Sequence, residues 1–213
     1  MRAICALYQA APALAQQGEQ IVSTDELTGV QALERKHPGL PLAPGKIERR
    51  EFEYIRHGTR SFIVSRDVVT GKILGPYVGP RRTEADFLAH VQAIVETSPH
   101  VKRWHIVCDH LNIHQSASLV RWVAQFSGLG EDLGIKGESG ILASMTSRAA
   151  FLSDPTHQIV FHYTPKHSRL SQSNRNLARY SRTQVTQTRL LHLSRRLANQ
   201  SSGLYRLLQP NHG

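Results

Sequence analysis

Residues 104–108, Trp-His-Ile-Val-Cys, form a compact, largely apolar run closed by Asp109, and a helical pattern lies on either side of it. A run of that length reads as a strand buried on both faces, and such a strand needs a covering layer above and below. The pattern before it supplies one layer. Thr83 and Asp86 stand three apart as an approximate capping box, and Phe87, Leu88, Val91, Ile94 and Val95 follow at helical spacing, with Pro99 as a stop. The pattern after it runs from about Ser116 through Leu119, Val120, Val123 and Phe126 to Gly128. Beyond a Gly-rich connector, residues 141–152 are predicted helical, and 158–163 form a last buried strand ended by Thr164-Pro165.

The upstream part is predicted to be strands. Residues 20–26 read as a short strand, with Thr28-Gly29 as turn chemistry, and a Pro/Gly-rich loop follows over 37–45. Residues 52–55 and 61–69 read as two strands joined across His57-Gly58-Thr59, and 72–78 as a third, giving an antiparallel meander. There is no internal repeat. Strands followed by helix, buried strand, helix and buried strand predict an α/β fold: a mixed sheet with helices on its faces.

Composition narrows the class. The 213 residues are 40% hydrophobic, enough for one ordinary core. No stretch of about 18 apolar residues is present, so no membrane span is expected. Residues 1–14 lack the continuous apolar core of a signal peptide. Cys5 and Cys108, the only cysteines, are far apart and fit no metal spacing, which argues against a disulfide-built secreted protein and makes a cytoplasmic location the expectation. The net charge is +10, and its distribution matters more than its size. Up to Asp154 there are 17 basic and 16 acidic residues, whereas the chain from Pro155 onward holds nine Lys or Arg and no Asp or Glu. Clustered Lys and Arg favour polyanions, because binding releases phosphate counterions.

Two acids close apolar strands: Asp25 after Ile21-Val22, and Asp109 after Ile106-Val107-Cys108. Open α/β sheets gather functional groups at strand ends. Two carboxylates on adjacent strands can hold a pair of Mg2+ ions about 3.5–4 Å apart, which activate an attacking oxygen and steady a leaving one. A third carboxylate normally completes such a cage. Taken singly, an Asp at a strand end is more often a turn or cap residue, and Glu26 reads as a solvated neighbour. His110, His114, His162 and His167 match no zinc spacing and read as surface or hydrogen-bonded side chains. Pro165-Lys166-His167 reads as a basic loop that could set phosphate-binding donors beside the site.

These segments, taken in order, resemble the DDE-superfamily transposases of the mariner-related bacterial insertion-sequence group. The likeness is carried by Ser23-Thr24-Asp25-Glu26-Leu27-Thr28-Gly29, Gln31-Ala32-Leu33-Glu34-Arg35 and Arg50-Glu51-Phe52-Glu53-Tyr54-Ile55-Arg56-His57-Gly58-Thr59. It continues through Gly79-Pro80-Arg81-Arg82-Thr83-Glu84-Ala85-Asp86-Phe87, Asp109-His110-Leu111-Asn112-Ile113-His114, residues 136–153 and Tyr163-Thr164-Pro165-Lys166-His167. The resemblance implies a ribonuclease-H-like fold, Mg2+ or Mn2+ as cofactor, DNA (the ends of an insertion sequence) as partner, and a possible homodimer. It makes Asp25 and Asp109 the first two metal-binding and catalytic carboxylates, and it places Lys166, His167, Arg169 and Arg175 as candidate nucleic-acid contacts.

The chain departs from the family pattern in three places. His110 and Ile113 stand where the family often has Asn and Thr. The family places a helix-turn-helix region ahead of the first Asp, and only 24 residues precede Asp25 here. The third carboxylate is due about eight residues after Pro165-Lys166-His167, in a phrase like Trp-Leu-Asn-Gln-Ile-Glu-Ile-Trp, and this chain has Leu170-Ser171-Gln172-Ser173-Asn174-Arg175-Asn176-Leu177. A slip of the coding frame near residue 169 would explain both the missing Glu and the acid-free tail. The expectation is therefore a partial catalytic core over 1–168 and a basic, poorly ordered tail over 169–213, without transposition activity of its own. The alternative is a non-catalytic nucleic-acid-binding protein acting through the Arg-rich tail.

Overall fold

The computed structural model describes residues 2–130 and 132–165. These divide into two compact units, one comprising the described residues up to Leu27 and from Ser61 onward, the other Thr28–Arg60. The elements run α1 (Arg2–Gln16), β1 (Glu19–Arg35), β2 (Tyr54–Asp67), β3 (Ile73–Gly79), α2 (Glu84–Glu96), β4 (Arg103–Cys108), a single 3₁₀ turn (Asn112–Gln115), α3 (Ala117–Phe126), α4 (Met145–Leu152) and β5 (Ile159–Tyr163). The strands form one sheet in the order β3-β2-β1-β4-β5. β2 and β3 are antiparallel, while β1, β4 and β5 run parallel to one another. This is the mixed α/β sheet that the sequence predicts.

Alternation along the strands explains why helices cover both faces. Val22, Ile106 and Cys108 point to the face packed by Phe87, Val91 and Ile94 of α2, Leu119, Val120 and Val123 of α3, and Leu152 of α4. Ile21 and Val107, one residue out of phase, point to the other face and meet Ile4 and Ala11 of α1. Each fully buried aliphatic side chain of this kind contributes roughly 1.5–3 kcal/mol by leaving water. α2 starts where the sequence places its cap: the Thr83 side chain accepts from the Asp86 amide, and the Asp86 carboxylate accepts from the Thr83 amide. Ser144 caps α4 by the same reciprocal box with Ser147, and the Ser116 side chain caps α3 by accepting the Leu119 amide.

Three expectations are corrected. α1 was not foreseen, although Ile4, Leu7, Tyr8, Ala11 and Leu14 recur at helical spacing and pack as one stripe. β1 does not end at residue 26 but continues through Thr28-Gly29 to Arg35. Residues 54–67 likewise form one strand, not two joined at His57-Gly58-Thr59. Gly29 and Gly58 adopt φ of 69° and 84°, so the left-handed backbone that a turn would require is present, but it lies inside strands.

Within Thr28–Arg60, the segment between the strands is held by isolated bridges, Leu40 to Arg49 and Ala43 to Lys46. Exposed ion pairs join Lys36 to Glu53, Arg50 to Glu48 and His57 to Glu34. Leu42, Ile47 and Phe52 are exposed there. Among the described residues, no helix is long and apolar enough to cross a membrane, and both cysteines are free thiols.

Candidate active site

The parallel register of β1 on β4 runs from Glu19 opposite Arg103 to Ser23 opposite Val107. Asp25 lies two residues beyond the last pair, inside β1, which continues to Arg35, and Asp109 directly follows the last residue of β4. β4 ends at Cys108, and Asp109 turns the chain: its Oδ1 accepts the Leu111 amide at 3.0 Å. The Asp109 side chain is 42% exposed. The Oδ1 of Asp25 accepts the following amide, that of Glu26, at 2.9 Å.

Glu26 corrects the expectation of a solvated neighbour, because its side chain is only 3% exposed. The period of two along β1 puts Glu26 on the face of Val22 and Thr24, whereas Asp25 follows Ile21 and Ser23. On that face Glu26 Oε1 meets His114 Nε2 at 2.5 Å, and Arg82 Nη1 approaches Oε2 at 3.5 Å. The other ring nitrogen of His114, Nδ1, lies 3.0 Å from Asp109 Oδ1 and 2.9 Å from the Asp109 carbonyl oxygen. His114 is buried, packed against the Phe87 ring at 4.3 Å, and its own carbonyl accepts the Tyr163 hydroxyl at 2.9 Å.

Both nitrogens of His114 therefore face acceptors, so both carry hydrogen and the ring is an imidazolium. Burial opposes that charge. Cys108, Asp109 and Glu26 pull the other way and hold His114 well above the ordinary histidine range. Cys108 is itself kept a neutral thiol by complete burial, so the charge that stabilises the imidazolium is that of the two carboxylates. The His114 hydrogen bond, working against partial burial, holds Asp109 below the ordinary carboxylate range.

The departures at His110 and Ile113 are accommodated. His110 stacks on Tyr163 at 4.9 Å and its Nδ1 pairs with the Gln115 amide nitrogen at 3.0 Å, while Ile113 packs against the main core. His162 pairs with His105, which in turn reaches Glu19, on the opposite sheet face. Lys166, His167, Arg169 and Arg175 lie outside the described residues. Sequence reasoning thus missed the burial of Glu26, whereas the hydrogen-bonded role expected of His114 is observed. What hid the pairing of the two is that contact between them spans 88 residues of sequence.

A group of donors on Glu26, Asp109 and His114 falls within 4.8 Å of one another, the spacing a divalent ion could bridge. Each ring nitrogen of His114 faces a different carboxylate, however, so this group reads as a chain of hydrogen bonds. Asp25 and Asp109 both offer hard oxygen donors of the kind Mg2+ and Mn2+ take.

A family model described as DDE superfamily endonuclease matches residues 20–183. No curated protein matches the chain. Among solved structures, the Mos1 mariner paired end complex with Mn is 14% identical, with 82% of this chain and 51% of that chain covered and a TM-score of 0.34. The Mos1 transposase paired-end complex with left transposon end is 14% identical, with 79% and 51% covered and a TM-score of 0.33. This chain thus spans about half the length of those structures' chains. The sheet order, its mixed pairing and the helices on both faces make the fold a ribonuclease-H-like α/β fold. Matched over most of its length by that family model, the chain belongs to the DDE superfamily endonucleases.

Proposed function

We propose that this chain is the catalytic domain of a transposase, in which Asp25 and Asp109 hold a divalent ion for phosphodiester chemistry on DNA, and that by itself it does not transpose. The observation that supports the reading is the parallel β1/β4 register, which runs to Ser23 opposite Val107, two residues short of each acid. Mg2+ or Mn2+ held there would activate an attacking hydroxyl and neutralise charge on the leaving oxygen. The Leu111 amide, donating to Oδ1, fixes the rotamer of Asp109. Family membership supports DNA as substrate, with insertion-sequence ends as its specific form and a homodimer and cytoplasmic location as further parts of the proposal.

The proposed inactivity rests on the sequence, which has no Asp or Glu after Asp154 to complete the carboxylate cage. Losing one ligand leaves transition-state charge uncompensated, where electrostatic stabilisation supplies much of the rate. A plasmid-nicking assay in Mg2+ and in Mn2+ tests this: no cutting above background is expected. Cutting that disappears in Asp25→Ala or Asp109→Ala would overturn the inactivity while supporting the site. The nucleotide sequence beyond codon 169 tests the frame slip, since another frame should restore the missing Glu. The acid-free tail favours a second reading, sequence-independent nucleic-acid binding through Arg175, Arg179 and Arg182.

A further inference from the structure

We propose that Glu26 and His114 are positioning residues that set the Asp109 carboxylate for the divalent ion. This rests on the reading that Asp25 and Asp109 hold that ion. The argument begins with the cost of Glu26. A buried carboxylate paired with buried or half-buried cations is at best nearly neutral for stability, and an apolar side chain of similar size would serve the core as well. Its side chain is 3% exposed, yet both oxygens are engaged, Oε1 by His114 and Oε2 by Arg82. An ion placed on Glu26 would have to displace one of these partners.

The consequence falls on Asp109. His114 spans the gap between the two acids: its Nε2 is tied to Glu26, and its Nδ1 bonds the Asp109 carbonyl oxygen at 2.9 Å while lying 3.0 Å from Asp109 Oδ1. The Phe87 ring packs on the imidazole, so the ring cannot swing without opening the core. The Leu111 amide donates to the same Oδ1. The Leu111 amide therefore grips one oxygen of Asp109 with the charged ring beside it, and Oδ2 is the oxygen left for the ion. Glu26 acts one step removed, by fixing the ring that fixes the carboxylate. Partners of this kind commonly tune metal affinity by about 10- to 100-fold.

The test is Mn2+ titration of the full chain, with free Mn2+ counted by electron paramagnetic resonance and folding checked by thermal melting. Asp25→Asn and Asp109→Asn should abolish specific binding. Glu26→Leu removes the anchor and should weaken binding by about 10-fold or more. Glu26→Gln keeps an acceptor for His114 but loses the charge, and should weaken binding several-fold while the chain still melts cooperatively, at a lower temperature; it decides the matter if the Leu variant does not fold. Spin-echo spectra of the bound Mn2+ should show no nitrogen coupling from a ligating imidazole. If both Asp variants lose binding but Glu26→Gln keeps the wild-type Kd, positioning is refuted and the metal site stands. Nitrogen coupling would make His114 a ligand and also refute positioning. Wild-type binding retained in Asp25→Asn, or no Mn2+ bound by the wild type, refutes the metal site and this proposal together.

Discussion

The buried histidines make stability depend on pH in two opposite senses. His90 closes a buried chain in which the Thr24 and Ser65 hydroxyls lie 2.6 Å apart and Ser65 Oγ lies 2.9 Å from His90 Nε2. Burial pushes its pKa from 6.5 down to about 4, against weaker upward pulls from the Gly75 backbone and Glu26. His162 falls to about 4 as well, through burial and then the neighbouring His105. A histidine depressed on folding contributes stability that is present above its unfolded pKa and lost as pH falls toward the folded value. His114 has the reverse sign: its pKa is raised, so its contribution is full below about 6.5 and lost as pH rises. The melting temperature should therefore fall on both sides of neutrality, with the acid limb between pH 6.5 and 4 belonging to His90 and His162. His90→Gln keeps a partner for Ser65 and cannot take up a proton, so its acid limb should be shallower than that of the wild type. An unchanged limb would show that His90 is not the neutral buried group described.

At the scale of elements, caps and phase decide what forms. Thr83 and Asp86 satisfy amides that the first turn of α2 would otherwise leave unpaired. Thr83→Ala should cost about 1 kcal/mol in a denaturant melt. It should leave β4 untouched, because the cap's hydrogen bonds run between Thr83 and Asp86 at the start of α2. A loss under a few tenths would mean that solvent serves the cap equally well. The same local chemistry explains what was legible beforehand. α2, β4, α3 and β5 were readable because each carries its signal within one window: a cap, a periodic stripe, a stop. β1 and β2 were misjudged because Gly29 and Gly58 carry turn chemistry, and each takes its left-handed backbone within a strand that continues through it. α1 was passed over because its stripe gains meaning only from Ile21 and Val107, which it covers. Half of the candidate site was legible in the same sense. Asp25 and Asp109 show as acids closing apolar runs, but the burial of Glu26 is set by Arg82 and His114, which arrive from other elements.

Across the whole molecule, charge is segregated along the chain. The part through Asp154 is balanced at 17 basic to 16 acidic residues, and the excess lies after it. A balanced core has little long-range pull on DNA, so retention at low salt should come from the acid-free segment. Each phosphate neutralised contributes a slope of about −0.9 in log affinity against log salt on duplex DNA. Replacing Arg175, Arg179 and Arg182 together by Gln should then flatten that slope by up to about 2.7. It should weaken binding equally for unrelated sequences, because phosphate contacts carry no base information. Fluorescence anisotropy on two unrelated duplexes across a salt series measures both quantities. A slope that does not change would remove the tail from the DNA-binding account and return it to the core. A loss confined to one duplex would mean that these arginines read bases, which a charge-segregation argument does not allow.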